Sequence, residues 1–455
     1  MKRILPFSIL LIVLAGCGTS KKATQLTDVP SWIKSRPSSA VYYVGIGSAR
    51  KFGNPGDYMQ AAKQNALADM SSEISVKLSS NSVLSAFETQ QTFFEDYSST
   101  VRAETQKELA GYNEVDTWED AQNYWVYYQL SKELYQKQVE ERKAKAISTS
   151  LDFYRKALEN VQSNDSKSAL IMTIKALEPL KPYFAETIVA NYDGTDIFLG
   201  NELFSLINRE ASNLVLTGPK EVSFKMGSTI TGDMLEYEVT NSQGVAQKGI
   251  PLVAKLSVNS YMPYKVVTDS KGKAQVQITS VKAKSTTAKL QVQIDFESII
   301  REGTNDFAIR KILSRVNMPT FETVVNIVRP TFAINAVPED AANRQAADYL
   351  VDVLKRKLTT DGYSIIEQDN NADFTINIDA QVEKKSKVNK YVRVAVQATI
   401  TVVSKDKGVV YSRRMDKEVG SHFDTTGAAT NALKEIERKI DNFVSEQLIQ
   451  TVVSK

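Results

Sequence analysis

The only cysteine of the chain, Cys17, constrains the fold more than any other residue. It follows a segment that begins with Lys2 and Arg3 and continues with an apolar run over residues 9–15. A basic head, a short apolar body and small residues before a break are typical of a secretory signal peptide. The apolar run is too short to cross a bilayer core of roughly 30 Å at 1.5 Å per helical residue. We therefore interpret residues 1–16 as a signal peptide.

The sequence Leu14-Ala15-Gly16-Cys17 resembles the lipobox of bacterial lipoproteins. The resemblance implies that Cys17 is acylated, with palmitate an expected acyl chain, and becomes the N-terminus of a membrane-anchored protein. The alternative is an ordinary signal peptide followed by an incidental cysteine. Because there is no second cysteine for a disulfide, the folded part must be stabilised by burial of apolar side chains.

The residues after the lipobox, 17–29, are small and polar, and we interpret them as a lipidated tether. Gly18, rather than aspartate, follows the cysteine. By resemblance to proteobacterial sorting rules, this favours the outer membrane over the inner one. The tether has no acidic residue before Asp28, so it lacks the acidic cluster of surface-exported lipoproteins of the Bacteroidetes type. We therefore predict an outer-membrane lipoprotein that faces the periplasm, with display on the surface as the alternative.

Length and composition limit the classes of function that the chain can have. At roughly 100–200 residues per domain, 455 residues suggest three or four domains, and 42% apolar residues suffice for packed cores. The formal charge of +3 falls to +1 once Lys2 and Arg3 leave with the signal peptide, so net charge gives no argument for nucleic-acid binding. The only histidine is His422, which excludes zinc sites that need several His or Cys ligands. We predict no metal site, no cofactor and no nucleic-acid partner.

Residues 30–135 are predicted to form the first folded domain. Hydrophobic periodicity indicates a strand, a helix capped by Asp57, a strand, a second helix and a strand pair, at residues 41–49, 57–70, 74–78, 93–109 and 115–130. The strand at 41–49 ends in glycines and small residues, which predicts a turn there.

This domain resembles the LPP-twenty lipoprotein family and the N-terminal domain of the flagellar assembly protein FlgT. The matching positions are Trp32, Tyr43–Ala49, Ala62–Ser80 and Trp125–Leu130. The resemblance implies an exported α/β sandwich with a non-enzymatic role, and it carries over no catalytic residue.

Within this motif, Gly45-Ile46-Gly47 after a strand invites comparison with a nucleotide-binding loop. That fingerprint needs a third glycine three residues after the second, and Arg50 occupies the position. We therefore predict a structural turn.

Residues 136–217 are predicted to be a helical segment. The helical period over 131–180 is interrupted by a polar turn at 163–166, and a further helix is predicted over 198–215. Two helices with a polar turn are similar to one tetratricopeptide-like hairpin. Because a stable repeat array needs about three repeats or more, a scaffold arm is the preferred interpretation.

Composition changes at Gly218-Pro219, where six short β-type runs separated by turn residues predict an antiparallel sandwich over 218–300. The pieces Gly249–Leu252 and Thr268–Ala274 resemble the signature of bacterial immunoglobulin-like domains. In that family the second piece is a turn, so Asp269 is expected to form a turn, with calcium ligation as the alternative. Residues 301–329 are predicted to be a connector.

Residues 330–455 are predicted to form a C-terminal two-layer domain, with a helix at 340–358, antiparallel strands and a final helix at 428–452. The predicted fold class is therefore α+β multidomain. It consists of an N-terminal α/β sandwich, a helical segment, an immunoglobulin-like β-sandwich and a C-terminal two-layer α+β domain.

Two clusters are candidate sites. Ser421, His422 and Asp424, placed in a loop after the last strand, suggest a hydrolase triad. Adjacent residues on an extended chain point to opposite faces, so Ser421 and His422 would not readily meet. We predict no catalytic residue and a cap or loop role for Asp424.

The second cluster is Trp118, Trp125, Tyr127 and Tyr128, which could form a stacking platform for a glycan. An alternating aromatic strand more often lies half in a core, and we favour that interpretation. The leading hypothesis is a lipid-anchored, non-enzymatic scaffold or interaction protein of the envelope with a protein partner. The alternative is a peptidoglycan-binding, glycan-binding or adhesive surface lipoprotein.

Overall fold

The computed structural model describes residues 29–74, 79, 82–84, 91–226, 232–278, 285–367 and 371–443. The predicted signal peptide, the acylation site at Cys17, nearly all of the tether and most of the strand predicted at 74–78 lie outside these residues. The chain divides into two compact units. We call residues 1–76 and 91–142 the N-terminal unit, and residues 77–90 and 143–455 the C-terminal unit. The prediction of a mixed α+β multidomain fold is confirmed.

The N-terminal unit is a three-stranded antiparallel sheet with helices. Its elements are α1 Ser31–Lys34, β1 Tyr42–Arg50, α2 Pro55–Glu73, α3 Gln91–Glu108, β2 Asn113–Glu119 and β3 Asn123–Ser131. The strand order is β1-β3-β2, and α2 packs on one face of the sheet. The second helix and the strand pair predicted here are confirmed. A long helix, α4 Lys132–Gln162, follows β3.

The C-terminal unit begins with helices and a short hairpin. After α4 come α5 Ser166–Leu180, β4 Val189–Tyr192, β5 Thr195–Phe198 and α6 Leu199–Asn213. The predicted polar interruption is confirmed, because Asp165 Oδ1 accepts a hydrogen bond from the Ser168 N–H at 2.9 Å and caps α5. The helix predicted over 198–215 is also confirmed as α6.

Two sheets then pack face to face. Their strands are β6 Leu214–Thr217, β7 Glu221–Lys225, β8 Glu236–Asn241, β9 Pro251–Leu256, β10 Asn259–Val267, β11 Lys273–Gln275, β12 Thr287–Ile294 and β13 Thr320–Val328. One sheet has the order β10-β9-β12-β13-β7 and the other the order β11-β8-β6. The two layers meet where the Tyr237 hydroxyl of β8 lies 2.7 Å from the Thr323 hydroxyl of β13.

This β-sandwich is larger than the predicted one. The prediction of a connector over 301–329 was wrong, because β13 lies inside the five-stranded sheet, between β12 and β7. Two helices, α7 Phe296–Gly303 and α8 Phe307–Leu313, separate β13 from β12 along the chain. Because of that separation, a local sequence pattern cannot identify the strands that pair with β13. The role of Asp269 as a turn former is confirmed, since its Oδ1 accepts hydrogen bonds from the N–H groups of Lys271 and Lys273 at 2.8 and 2.9 Å.

The last part of the unit is a sheet covered by two helices. Its elements are β14 Thr331–Ala336, α9 Ala341–Thr360, β15 Ser364–Ile365, β16 Phe374–Val388, β17 Tyr391–Ser404, β18 Gly408–Arg414, β19 Glu418–His422 and α10 Thr425–Phe443. The order is β15-β14-β16-β17-β18, and β19 also pairs with β17. Helices α9 and α10 contact each other and share one core with the sheet, which includes Leu350, Ile376, Ile400 and Ile436. Among the described residues, no helix is long and apolar enough to cross a bilayer.

Candidate functional site

The glycines of the LPP-twenty motif bring β1 and α2 into close contact. A Cβ at Gly45 would lie 2.3 Å from the Ala66 carbonyl oxygen, and one at Gly47 would lie 2.1 Å from the Ala66 nitrogen. Ala62 and Ala66 are fully buried beneath them. Both glycines therefore serve strand–helix packing. They lie inside β1 rather than in the predicted turn.

The carboxylates of the same motif cover the free edge of β1. Glu73 Oε2 accepts from the Val44 N–H at 3.0 Å, and Asp69 Oδ2 accepts from the Ile46 N–H at 2.8 Å. Arg36 donates to both carboxylates and, at 2.8 Å, to the Val44 carbonyl oxygen. Unpaired N–H groups on an edge strand are a template for pairing with another chain. This cluster closes β1 to such pairing, so these charged residues have a structural role.

All three tryptophans of the chain lie on the opposite face of the sheet. Trp118 and Trp125 face each other across β2 and β3, and Trp32 of α1 packs on Tyr127 with ring centroids 5.5 Å apart. We call Trp32, Trp118, Trp125 and Tyr127 the aromatic face. Trp32 and Tyr127 are buried, whereas Trp118 and Trp125 are half-buried.

Some polar atoms of the aromatic face have hydrogen-bond partners and others do not. The Trp32 indole N–H donates to Asp116 Oδ2 at 2.8 Å, and the Tyr127 hydroxyl accepts from the Gln129 amide. The indole nitrogens of Trp118 and Trp125 are buried and have no hydrogen-bond partner among the described residues. A buried donor without a partner costs about 1–3 kcal/mol. A binding partner that offers an acceptor to either indole, after a rotation of the ring, can recover part of that cost.

The structure separates the four aromatic residues predicted from sequence. Trp125 and Tyr127 alternate along β3 and share one face, whereas Tyr128 lies on the α2 side with Tyr112, with ring centroids 4.8 Å apart. Burial, together with the nearby carboxylate of Glu114, raises the pKa of Tyr128 to about 12. The core interpretation is confirmed for Tyr127 and Tyr128.

The place of Trp32 on this face could not be predicted from its motif position. Trp32 reaches the sheet because α1 folds back onto β3. The signal that did identify part of the face was the two-residue alternation of Trp125 and Tyr127.

The second candidate cluster is at the end of β19. The placement of His422 in a loop was wrong, because it is the last residue of β19 and is paired with Val392. Its Nδ1 lies 2.9 Å from Asp424 Oδ2, while Asp424 Oδ1 accepts from the Gly427 N–H at 2.7 Å at the start of α10. The cap role predicted for Asp424 is confirmed. The Gly427 hydrogen bond, followed by His422, lowers the pKa of Asp424.

Within the described ranges, no group of three or more His, Cys, Asp and Glu residues is arranged to hold a metal ion. The carboxylates of the motif and of the α10 cap accept hydrogen bonds from backbone N–H groups, and this structural role accounts for them.

The first folded domain follows the predicted lipobox and tether, as expected for an anchored cell-envelope lipoprotein. Residues 30–131 match the LPP20 lipoprotein family, which confirms the family resemblance over under a quarter of the chain. No curated protein matches the chain. The match supports a cell-envelope lipoprotein, while the resemblances to FlgT and to immunoglobulin-like domains stay predictions.

Solved structures similar to parts of the chain include proteins described as lipoproteins. A minor lipoprotein from Acinetobacter baumannii is 14% identical and covers 26% of this chain and 92% of its own, with a TM-score of 0.21. A protein described as a neuraminyllactose-binding hemagglutinin homolog from Helicobacter pylori is 15% identical over 27% and 88%, with a TM-score of 0.20. A protein described as a lipoprotein from Caulobacter crescentus CB15 is 11% identical over 25% and 90%, with a TM-score of 0.18. TM-scores this low do not establish a shared fold.

Proposed function

We propose that the chain is a lipid-anchored envelope lipoprotein of the outer membrane that faces the periplasm and acts without catalysis, by binding an envelope protein. The predicted acylation of Cys17 and the family match over residues 30–131 support the anchor. The other modules of the chain would serve as a scaffold that presents binding surfaces.

The observation that carries the proposal is the aromatic face. The other prominent motif residues, Gly45, Gly47, Asp69 and Glu73, are accounted for by packing and edge protection. The pair Trp118 and Trp125 is not, since both rings are half-exposed and, in the described part of the chain, neither indole N–H group has a hydrogen-bond partner. Tryptophan is enriched among the residues that dominate binding energy at protein interfaces.

Site-specific photocrosslinking in intact cells tests this proposal. A benzophenone side chain replaces Trp118 or Trp125 in turn, and Phe52, which is 89% exposed in the N-terminal unit, serves as the control position. We expect one adduct of defined mass from the two tryptophan positions and none from position 52. The same adducts from all three positions, or none from any, would contradict a role for the aromatic face.

A glycan partner is the second candidate, and the same pair of indoles favours it. Sugar rings stack on aromatic faces through their apolar C–H groups, and sugar hydroxyls accept hydrogen bonds from an indole N–H. Sedimentation with purified peptidoglycan sacculi distinguishes the two candidates. Binding that is lost in Trp118→Ala/Trp125→Ala and retained in Phe52→Ala identifies a glycan site, whereas no binding by the unaltered chain leaves the protein partner.

The orientation is tested by adding protease to intact cells and following an epitope in the C-terminal unit. Protection until the outer membrane is permeabilised is expected for a periplasm-facing protein. Immediate loss of the epitope means surface display and changes the partner class to extracellular protein or glycan.

A further inference from the structure

The hairpin formed by β16 and β17 ends in an exposed arm. All described side chains from Glu383 to Tyr391 are exposed, and Asn389, with a φ of 57°, lies in the turn. Strand β14 pairs with β16 only as far as Ile378. Beyond that point the only described strand beside the hairpin is β19, which pairs with β17. We call residues 383–393 the hairpin tip.

The hairpin tip presents positive charge that the described residues do not compensate. Lys384, Lys387, Lys390 and Arg393 are exposed, and within the described part of the chain none of them forms an ion pair. The one acidic residue of the tip, Glu383, is engaged by Lys417 at 2.6 Å. The nearby carboxylate of Asp424 is held by His422 and by the cap of α10.

Exposed apolar groups lie beside these cations. Tyr391 and Phe423 stack with ring centroids 4.8 Å apart and an interplanar angle of 26°, yet they are 48% and 64% exposed. Val388, paired with Tyr391 across the hairpin, is 48% exposed. Stacking therefore holds the two rings together at the surface without burying them.

This combination matches the chemistry of a membrane surface. Tyrosine and other aromatic rings are favoured at the level of the lipid headgroups, and lysine and arginine are attracted to anionic lipid phosphates. An anionic polymer in solution would bind the cations but would leave Val388 and the exposed ring edges in water. A bilayer surface would bind the cations and would also bury these apolar groups.

We propose that the hairpin tip binds the surface of a bilayer that contains anionic phospholipid. Charge complementarity selects the lipid, and Val388, Tyr391 and Phe423 supply apolar contact at the headgroup level. This contact is separate from the lipid predicted on Cys17, because it requires no acyl chain.

Vesicle flotation of the chain from residue 18 onward tests the proposal, since this chain has neither the signal peptide nor an acylated cysteine. Vesicles of phosphatidylcholine with phosphatidylglycerol are compared with vesicles of phosphatidylcholine alone. We expect binding to the anionic vesicles at about 0.1 M salt and strong weakening at about 1 M, where the Debye length falls from about 10 Å to about 3 Å.

The decisive variant is Lys384→Gln/Lys387→Gln/Lys390→Gln. At roughly five-fold per lysine near an anionic surface, we expect its binding to fall about 100-fold. The matched control is Lys220→Gln/Lys255→Gln/Lys434→Gln, which removes the same charge from exposed lysines outside the tip. We expect its binding to stay within about two-fold of the unaltered chain, because these three lysines are not part of the hairpin tip. Circular dichroism checks that both variants fold, and Lys390→Gln in the turn serves as the milder second variant.

The aromatic pair separates a bilayer from a soluble polyanion. Tyr391→Ala/Phe423→Ala is expected to weaken vesicle binding several-fold while binding to heparin, used as a soluble polyanion, is unchanged. The proposal is overturned if the unaltered chain does not float with anionic vesicles or if the control triple variant loses as much binding as the tip variant. Vesicle binding that does not depend on Tyr391 and Phe423 overturns it as well, and assigns the tip to polyanions in general.

Discussion

The contact between β1 and α2 makes a sharp prediction for Gly47→Ala. The added Cβ would lie 2.1 Å from the Ala66 nitrogen and 2.2 Å from the Ala62 carbonyl oxygen. Both are backbone atoms of α2, so no side-chain rotation can relieve the overlap. The helix has to move away from the strand by more than 1 Å, which loosens a core that includes Met70 and Val126.

The expected cost follows from what overpacking does elsewhere. Inserting one methylene into a packed core usually costs about 1–3 kcal/mol, and occasionally more when the backbone has to shift. We expect the upper end, about 3 kcal/mol. With a urea m-value of about 1–3 kcal/mol/M for a small domain, the unfolding midpoint should fall by about 1–3 M.

Intrinsic tryptophan fluorescence is the assay, because Trp32, Trp118 and Trp125 are the only tryptophans and all lie in the N-terminal unit. The signal therefore reports this unit while the rest of the chain is present. The matched control is Gly56→Ala in the first turn of α2, where a Cβ would meet no atom of the described residues within 4 Å. Alanine is a better helix former than glycine, so the control should be stabilised by up to about 1 kcal/mol. If the two variants have the same midpoint, steric contact does not explain why position 47 is glycine.

Three further predictions concern the anchor, the sandwich and the C-terminal sheet. Replacing Cys17 with serine should leave the protein unprocessed or freely soluble, and unchanged sedimentation with the outer membrane would refute the lipid anchor. A fragment of residues 214–328 should melt cooperatively with β-type circular dichroism. A fragment of residues 219–296 lacks β6 and β13 and should not melt cooperatively. Cooperative melting of the shorter fragment would show that β13 is dispensable. Burial opposes ionisation of Asp373, yet hydrogen bonds from Lys225 and Thr331 leave its pKa below its usual value of 3.8. Its stabilising effect is present above that value and is lost as pH falls through the lower folded-state pKa. Thermal melts of Asp373→Asn should therefore differ from the unaltered chain at neutral pH and converge with it as the pH falls below the lowered folded-state pKa of Asp373, and a constant difference would contradict the assignment.

The elements that could be predicted from sequence are those whose signal is local. Helices α3, α5, α6, α9 and α10 follow the 3.6-residue period, and the strand pair β2–β3 follows alternation on either side of a turn. Asp269 and Asp424 were identified as turn and cap residues because a short acidic side chain bonds to N–H groups two to four positions ahead. The same two-residue period placed Trp125 and Tyr127 on one side of β3.

The elements that could not be predicted depend on contacts between distant residues. The residues of β13 are predicted to be a connector because both partner strands are distant in sequence. Two helices separate β13 from β12, and β7 lies about a hundred residues upstream. The strand β19 is short, and only its pairing with β17 distinguishes it from a loop around His422. For the same reason the hairpin tip could not be identified in advance as exposed, because its exposure depends on the pairing of β14 with β16 ending at Ile378 of β16.

For the candidate site, the sequence by itself determined the residue types and the alternation: three tryptophans, two motif glycines and two motif carboxylates at their positions in the chain. Only the tertiary structure decided that Gly45 and Gly47 pack against α2, that Asp69 and Glu73 cover the edge of β1, and that Trp32 joins Trp118 and Trp125 on the other face. The physical reason is that a side chain's period determines which side of its own element it occupies, whereas the neighbour it meets there depends on how elements far apart in the chain pair and pack.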